Sequence, residues 1–159
     1  MIHPTDLTYL KRYIELAKDA LEAGDEPFGS ILVAANGEVL AEDRNHVSGG
    51  DHTQHPEFAL ARWAAEHMSA KDRSIATVYT SGEHCPMCAA AHGWVGLGRI
   101  VYASSSKQLA QWLKDMGITT TSRVRHLSIQ EVIQDTPIDG PVPELAEQVH
   151  QLHRQFHQK

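Results

Sequence analysis

The clearest structural signal in the chain is residues 74–105, which read SIATVYTSGEHCPMCAAAHGWVGLGRIVYASS. Residues 74–81 have the β-branched content of a buried strand, and residues 99–105 form a second run of this kind. Between them, PMCAAAHGWVGLG has a proline at an early position, which suits the first turn of a helix because the N–H that proline lacks has no partner there. The pattern predicts a strand, a helix and a second strand in succession.

Apolar residues at helical spacing before Gly24 predict a first helix, and FGSILVAANGEVLAE predicts a hairpin turned at Asn36-Gly37. PEFALARWAAEHM predicts another helix that starts at or next to His55. After residue 105, SKQLAQWLKDMG predicts a helix closed by Gly117, and residues 118–123 (ITTTSR) predict a fifth strand, parallel to the strand before it. A short helical piece after Ile129, a turn region and a terminal amphipathic helix follow.

These elements predict one α/β domain over residues 1–159, with a five-stranded mixed sheet and helices on both faces. A length of 159 residues with 42% hydrophobic residues suits a single core. Residues 130–159 are predicted to form a C-terminal helical tail that packs on the body or on a partner subunit. His150, His153 and His157 share one face of that helix, which indicates either a second metal site or, as we favour, an amphipathic packing face.

Charge and composition narrow the classes of function. The formal net charge is −6 and the lysines and arginines are scattered, which argues against a nucleic-acid partner. The chain shows no signal-peptide pattern and no apolar segment long enough to span a membrane, so we expect a cytoplasmic protein. Two cysteines are too few for a disulfide framework.

Cys85 and Cys88 are three positions apart at the predicted start of a helix, where the helix dipole favours thiolates. Such a pair suits a redox site or a metal site. His55 would supply a third ligand at the start of another helix, leaving a fourth position for water, as in catalytic zinc sites. A closed structural site would need a fourth side chain, for which His84 is a candidate.

HPE at residues 55–57 and HCPMC at residues 84–88 match the HxE and PCxxC signature of zinc deaminases. Over residues 5–125 the chain resembles the cytidine-deaminase-like superfamily, closest to its guanine deaminase and nucleoside deaminase branch, which is related to the tRNA adenosine deaminases. The resemblance implies a three-layer α-β-α fold. It also implies one Zn²⁺ per chain held by His55, Cys85 and Cys88, with Glu57 as the catalytic proton shuttle of a hydrolase that acts on carbon–nitrogen bonds.

The resemblance also suggests substrate contacts. Phe28 and Trp94 match aromatic positions of bacterial guanine deaminases, and Asn45 matches an asparagine placed against the edge of the substrate ring. The alternatives are core packing for the two aromatics and a turn for Asn45. His84 stands where the family usually has proline; it is a pocket contact, a hydrogen-bond partner of a residue that lines the site, or a solvent-facing loop residue. Pro56 replaces the usual alanine of HxE, which the first turn of a helix tolerates.

The predicted activity is hydrolytic deamination of a small aminoheterocycle, with a guanine-type purine base or nucleoside favoured. Three alternatives stay open: a tRNA-specific adenosine deaminase, a deaminase of cytosine, cytidine or another heterocycle, and a non-catalytic zinc-binding scaffold. In guanine-deaminase relatives the C-terminal segment crosses to a second subunit, so the resemblance also implies a homodimer.

Overall fold

The computed structural model describes residues 1–158, and its sheet begins with the hairpin predicted around Asn36-Gly37. Strands β1 (Gly29–Val33) and β2 (Val39–Arg44) pair antiparallel. Gly37 has a φ of +90°, a conformation that favours glycine, and the Asn36 side chain accepts a hydrogen bond from the Glu38 N–H at 3.0 Å. The predicted turn is therefore confirmed.

The remaining strands are β3 (Thr77–Gly82), β4 (Ile100–Ser104) and β5 (Ile138–Asp139). The strand order is β2-β1-β3-β4-β5. β1 pairs antiparallel with β2 and β3, whereas the β3–β4 and β4–β5 pairs are parallel. The structure thus confirms the predicted five-stranded mixed sheet.

The position of the fifth strand was predicted wrongly. Residues 118–123 form no strand, and β5 lies further along the chain. The threonines of ITTTSR are exposed and pair with no neighbouring strand. Their β propensity does not produce a strand here, because it depends on packing against cross-strand neighbours. Ile138 instead pairs with Ile100 of β4 and packs on the cluster that contains Ile129.

The described residues contain seven helices and one 3₁₀ turn at Val47–Gly49. The helices are α1 (Pro4–Glu22), α2 (Pro56–His67), α3 (Ala70–Ser74), α4 (Pro86–Trp94), α5 (Ser106–Asp115), α6 (Ile129–Val132) and α7 (Pro143–His157).

Helices cover both faces of the sheet because successive strand side chains point to opposite sides. Ile31 and Val33 belong to the core under α1 and α7, whereas Leu32 belongs to a second core with Leu60 of α2. Ala89 of α4 packs on β4 beside this second face. The arrangement is the three-layer α-β-α fold that the resemblance implied.

The C-terminal helix α7 packs on α1 and β4 of its own chain. Its buried face consists of Leu145, Ala146, Val149, Leu152 and His153. The helix is therefore amphipathic and completes the core, as we favoured. A crossing of residues 130–159 to a partner subunit stays a prediction. Among the described residues, every helix is too short or too polar to cross a lipid bilayer.

Candidate active site

Two helices begin at the predicted metal ligands. His55 is the N-cap residue of α2 and Cys85 is the N-cap residue of α4, and a proline follows each of them, Pro56 and Pro86. Because proline has no N–H to leave unpaired, each helix can start directly after the ligand. Cys88 lies three residues further along α4, which places its thiol on the same side as that of Cys85.

The three ligand atoms are close together. His55 Nδ1 lies 3.5 Å from the Sγ of Cys85 and 3.5 Å from the Sγ of Cys88. A tetrahedral zinc ion with bonds of about 2.0 Å to nitrogen and about 2.3 Å to sulfur places such atoms about 3.5 Å apart. An imidazole and two thiolates are also donors that Zn²⁺ prefers. The residues present therefore fit zinc.

The cluster has three ligands and not four. Within residues 1–158, His55, Cys85 and Cys88 are the only group of His, Cys, Asp or Glu side chains arranged to hold a metal ion, and His84 is not part of it. A three-ligand set leaves a coordination position for water or substrate, which is the arrangement of catalytic zinc sites.

The contact between the two thiols shifts their pKa values in opposite directions. A hydrogen bond from Cys88, and a second one from His55, lower the pKa of Cys85 to about 4. The same contact with Cys85, together with burial, raises the pKa of Cys88, and the hydrogen bond to Cys85 raises the pKa of His55. Cys85 is therefore a thiolate at neutral pH, and a metal ion must displace the proton of Cys88 when it binds.

The Glu57 carboxyl is buried beside this cluster, 7% exposed, and lines the same cavity as His55 and Cys85. Its Oε1 accepts hydrogen bonds from Thr80 Oγ1 at 2.6 Å and from Ser30 Oγ at 3.0 Å. Burial raises the pKa of this carboxyl, and the bond from Thr80 offsets part of that effect. A carboxyl of raised pKa is suited to take up and release a proton in acid–base catalysis.

A cavity of about 570 Å³ opens over these groups, a volume that admits a bicyclic heterocycle. We call the end lined by His55, Glu57 and Cys85 its inner end. One face of α5 forms a wall, residues 117–120 follow the end of that helix and form the outer end, and residues 126–127 complete the lining. The α5 residues that line the cavity are Ser106, Leu109, Ala110, Leu113 and Lys114.

Phe28 also lines the cavity, as expected for a residue that stacks on a flat ring. The ring also meets His153 of α7 edge-on, with the ring centroids 5.1 Å apart. Asn45 is buried and its N–H donates to the Phe28 carbonyl at 3.1 Å, but it is not among the cavity-lining residues. Its Oδ1 has no hydrogen-bond partner among the described residues.

Trp94 and His84 lie outside the cavity of their own chain. Trp94 is 89% exposed and borders a separate groove with Val132 and Ile133. His84 is 1% exposed, its ring packs edge-on against His92, and neither ring nitrogen has a partner among the described residues. The alternative of a solvent-facing loop histidine was therefore wrong.

The histidines of α7 are not brought together as metal ligands. His150 stacks on Trp112 with ring centroids 4.4 Å apart, and His153 is buried against Phe28. His157 meets Phe156 edge-on. Each imidazole thus packs on an aromatic ring, in keeping with the packing face that we favoured.

Sequence reasoning missed several residues that build the site. Ser30 and Thr80 are directly opposite each other on β1 and β3, and polar side chains inside two buried strands were the available signal. Glu83 lines the cavity, and its two oxygens accept the N–H groups of Ser106 and Ile129 at 3.0 and 2.9 Å. It thereby joins the segment before Cys85 to the starts of α5 and α6.

Comparison with known proteins places this site in a family context. The MafB19-like deaminase family matches residues 5–136. A probable cytosine deaminase of Schizosaccharomyces pombe is 34% identical over 112 residues, covering 70% of this chain and 68% of the relative. The guanine deaminase of Bacillus subtilis is 35% identical over 106 residues, covering 65% and 67%. The structure of a guanine deaminase from Nitrosomonas europaea superposes with a TM-score of 0.74 at 18% identity, covering 100% of this chain and 87% of that one.

Proposed function

The chain belongs to the MafB19-like deaminase family, and from that premise we propose that it is a zinc-dependent hydrolase that deaminates a guanine-type purine ring. Membership makes it a deaminase, a hydrolase of carbon–nitrogen bonds other than peptide bonds. The observation that carries the proposal is the trio of His55, Cys85 and Cys88 with the Glu57 carboxyl facing the same cavity. In the reaction, water replaces the exocyclic amine by a carbonyl, and ammonia leaves.

When bound by these three side chains, Zn²⁺ supplies a Lewis acid that lowers the pKa of a water molecule at the remaining position. The proton transfers fall to Glu57. Its Oε1 is held by Thr80 and Ser30, whereas its Oε2 accepts no side-chain hydrogen bond within residues 1–158. We assign Oε2 to take a proton from the water and to deliver protons to the ring nitrogen and the departing amine.

The preference for a purine rests on Phe28 and on the volume of the cavity. A phenyl ring in the wall can stack on a flat heterocycle, and about 570 Å³ is enough for two fused rings. Stacking between Phe28 and Trp94 is not part of this proposal, because Trp94 lies outside the cavity of its own chain. Asn45 contributes through the backbone of Phe28, whose carbonyl it holds.

An ammonia-release screen tests the activity. The panel is guanine, guanosine, adenine, adenosine, cytosine, cytidine, pterins, aminotriazines and tRNA, and we expect the highest kcat/KM on a guanine-type ring. Preference for cytosine or cytidine would support the pyrimidine alternative, and turnover of tRNA alone would support the tRNA-specific one. A chain that binds zinc and acts on no member of the panel, tRNA included, would be a scaffold.

Glu57→Gln tests the catalytic assignment. The amide keeps the shape of the side chain, so we expect one zinc per chain with a loss of activity of about 10²- to 10⁴-fold. Glu66→Gln is the matched control, since Glu66 is exposed on the same helix. Loss of zinc from Glu57→Gln would identify Glu57 as a ligand, and unimpaired turnover would contradict its role in proton transfer.

We also propose a homodimer. Trp94 exposes a large indole beside the partly buried Val132 and Ile133, and a second subunit that covers this surface would remove it from water. Light scattering should then give twice the chain mass for the wild type and the monomer mass for Trp94→Glu. A wild-type monomer would refute the proposal, and a dimer that persists in Trp94→Glu would exclude this surface.

A further inference from the structure

The cavity extends beyond the space that a purine ring next to the catalytic groups would fill. Its wall on α5 is a continuous stripe at helical spacing, which starts at Ser106 and reaches Lys114. The Ser106 N–H donates to Glu83, two residues before Cys85, so the start of the stripe lies at the inner end. Eight positions of helix separate Ser106 from Lys114, a rise of about 12 Å.

The outer end differs in chemistry from the middle. Leu109, Ala110 and Leu113 make the middle of the wall apolar, whereas Lys114, Thr119 and Thr120 follow at the end of α5 and just after it. The ammonium of Lys114 makes no ion pair or hydrogen bond within residues 1–158. The neighbouring Asp115 accepts a bond from Gln111 and does not line the cavity.

The segment that follows α5 in the chain is basic although the chain as a whole is acidic. Residues 116–130 include Arg123 and Arg125 and contain no aspartate or glutamate. The acidic groups of the cavity, Glu57 and Glu83, belong to its other end, and both oxygens of Glu83 already accept backbone N–H groups. An anion at the outer end would therefore meet cationic and hydroxyl groups with no facing carboxylate.

We propose, resting on the deaminase function above, that the outer end binds a phosphate group esterified to the substrate. With the ring at the inner end, the stripe leads along the sugar to Lys114, where an ammonium and the Thr119 and Thr120 hydroxyls can contact phosphate oxygens. A free base would leave this end of the cavity unused. The phosphate belongs either to a free nucleoside monophosphate or to a nucleotide within an RNA.

A matched series on one ring tests this. Guanine, guanosine and guanosine 5′-monophosphate are compared by ammonia release and, with zinc-loaded Glu57→Gln chain, by calorimetric binding, together with a short single-stranded RNA that contains the same base. The protein variants are Lys114→Ala and, as control, Lys107→Ala, an exposed lysine on α5 that does not line the cavity.

We expect the monophosphate or the RNA to bind more tightly than the nucleoside by roughly three- to tenfold, because Lys114 is exposed and water screens its charge. Lys114→Ala should reduce this advantage and Lys107→Ala should not. If Lys114→Ala reduces the binding advantage of the monophosphate, the phosphate belongs to a free nucleotide. If it reduces only the binding advantage of the RNA, the phosphate belongs to the polymer.

The two proposals fail in different ways. If guanine or guanosine releases ammonia but a phosphate brings no advantage, or if Lys114→Ala and Lys107→Ala weaken all ligands alike, the phosphate site is refuted while the deaminase stands. If phosphorylated ligands bind in a Lys114-dependent manner and no ring is deaminated, the proposed reaction is refuted and the phosphate site is supported.

Discussion

Thr80→Val removes a hydroxyl that holds the proposed proton shuttle. Thr80 is fully buried and its Oγ1 lies 2.6 Å from Glu57 Oε1, while Ser30 Oγ lies 2.8 Å from Thr80 Oγ1 and 3.0 Å from Glu57 Oε1. Thr80 donates to Glu57, and the single proton of the Ser30 hydroxyl can go either to Glu57 Oε1 or to Thr80 Oγ1, the shorter of its two contacts. Valine has nearly the same shape as threonine, and the change is therefore confined to the missing donor.

The expected cost follows from these distances. A hydrogen bond to a charged group contributes about 1.5–3 kcal/mol, but the Ser30 hydroxyl can turn to Glu57 when Thr80 no longer accepts from it. We therefore expect Thr80→Val to lower kcat by roughly 5- to 30-fold, or about 1–2 kcal/mol. In the double variant Ser30→Ala/Thr80→Val, Oε1 loses both side-chain donors, and the loss should reach roughly 100-fold or more.

The assay is ammonia release on the best ring of the screen, with the zinc content and the thermal midpoint measured on every variant. Thr80→Ser keeps the hydroxyl and should retain most of the activity. A Thr80→Val chain with full zinc and wild-type kcat would refute the reasoning. Damage from Thr80→Ser equal to that from Thr80→Val would show that the missing hydroxyl is not the sole cause of the loss, because serine keeps the hydroxyl and lacks only the methyl group.

Three further changes test the fold and the metal site. Gly29→Ala should cost about 2–3 kcal/mol of unfolding free energy in urea, because the added Cβ would lie 2.6 Å from the Tyr13 carbonyl oxygen; a wild-type midpoint would contradict this close packing. Burial opposes ionisation of Asp6, but hydrogen bonds, led by that from Arg99, lower its pKa to about 2. Asp6→Asn should therefore cost about 2 kcal/mol at pH 7, and the difference should shrink as the pH falls below about 4 towards 2; a cost independent of pH would exclude the charge as its cause. Cys88→Ser should lower the zinc content, measured by atomic absorption, well below one per chain. It should also reduce the rise in thermal midpoint that added zinc causes. A zinc content equal to that of the wild type would show that Cys88 is not a ligand.

The sequence was sufficient to predict the features that depend on residues adjacent in the chain. The turn at Asn36-Gly37 follows from the conformational freedom of glycine and the side chain of asparagine, and the helix starts at His55 and Cys85 follow from the prolines after them. The short strand β5 was missed because two residues carry almost no pattern. Its pairing arises only when Ile138 meets Ile100 across the sheet.

The amino-acid sequence by itself determined the types of ligand, their places at helix starts and the layered α/β class, because these depend on residue identity and short spacing. Only the tertiary structure decided which side chains share a space. It placed Ser30 and Thr80 against Glu57 through the register of β1 and β3, turned Trp94 outward, buried His84, and aligned the stripe of α5 with the metal trio. The physical reason is that a helix or strand pattern states which residues share a face, whereas the partner of that face is set by packing between segments distant in the chain.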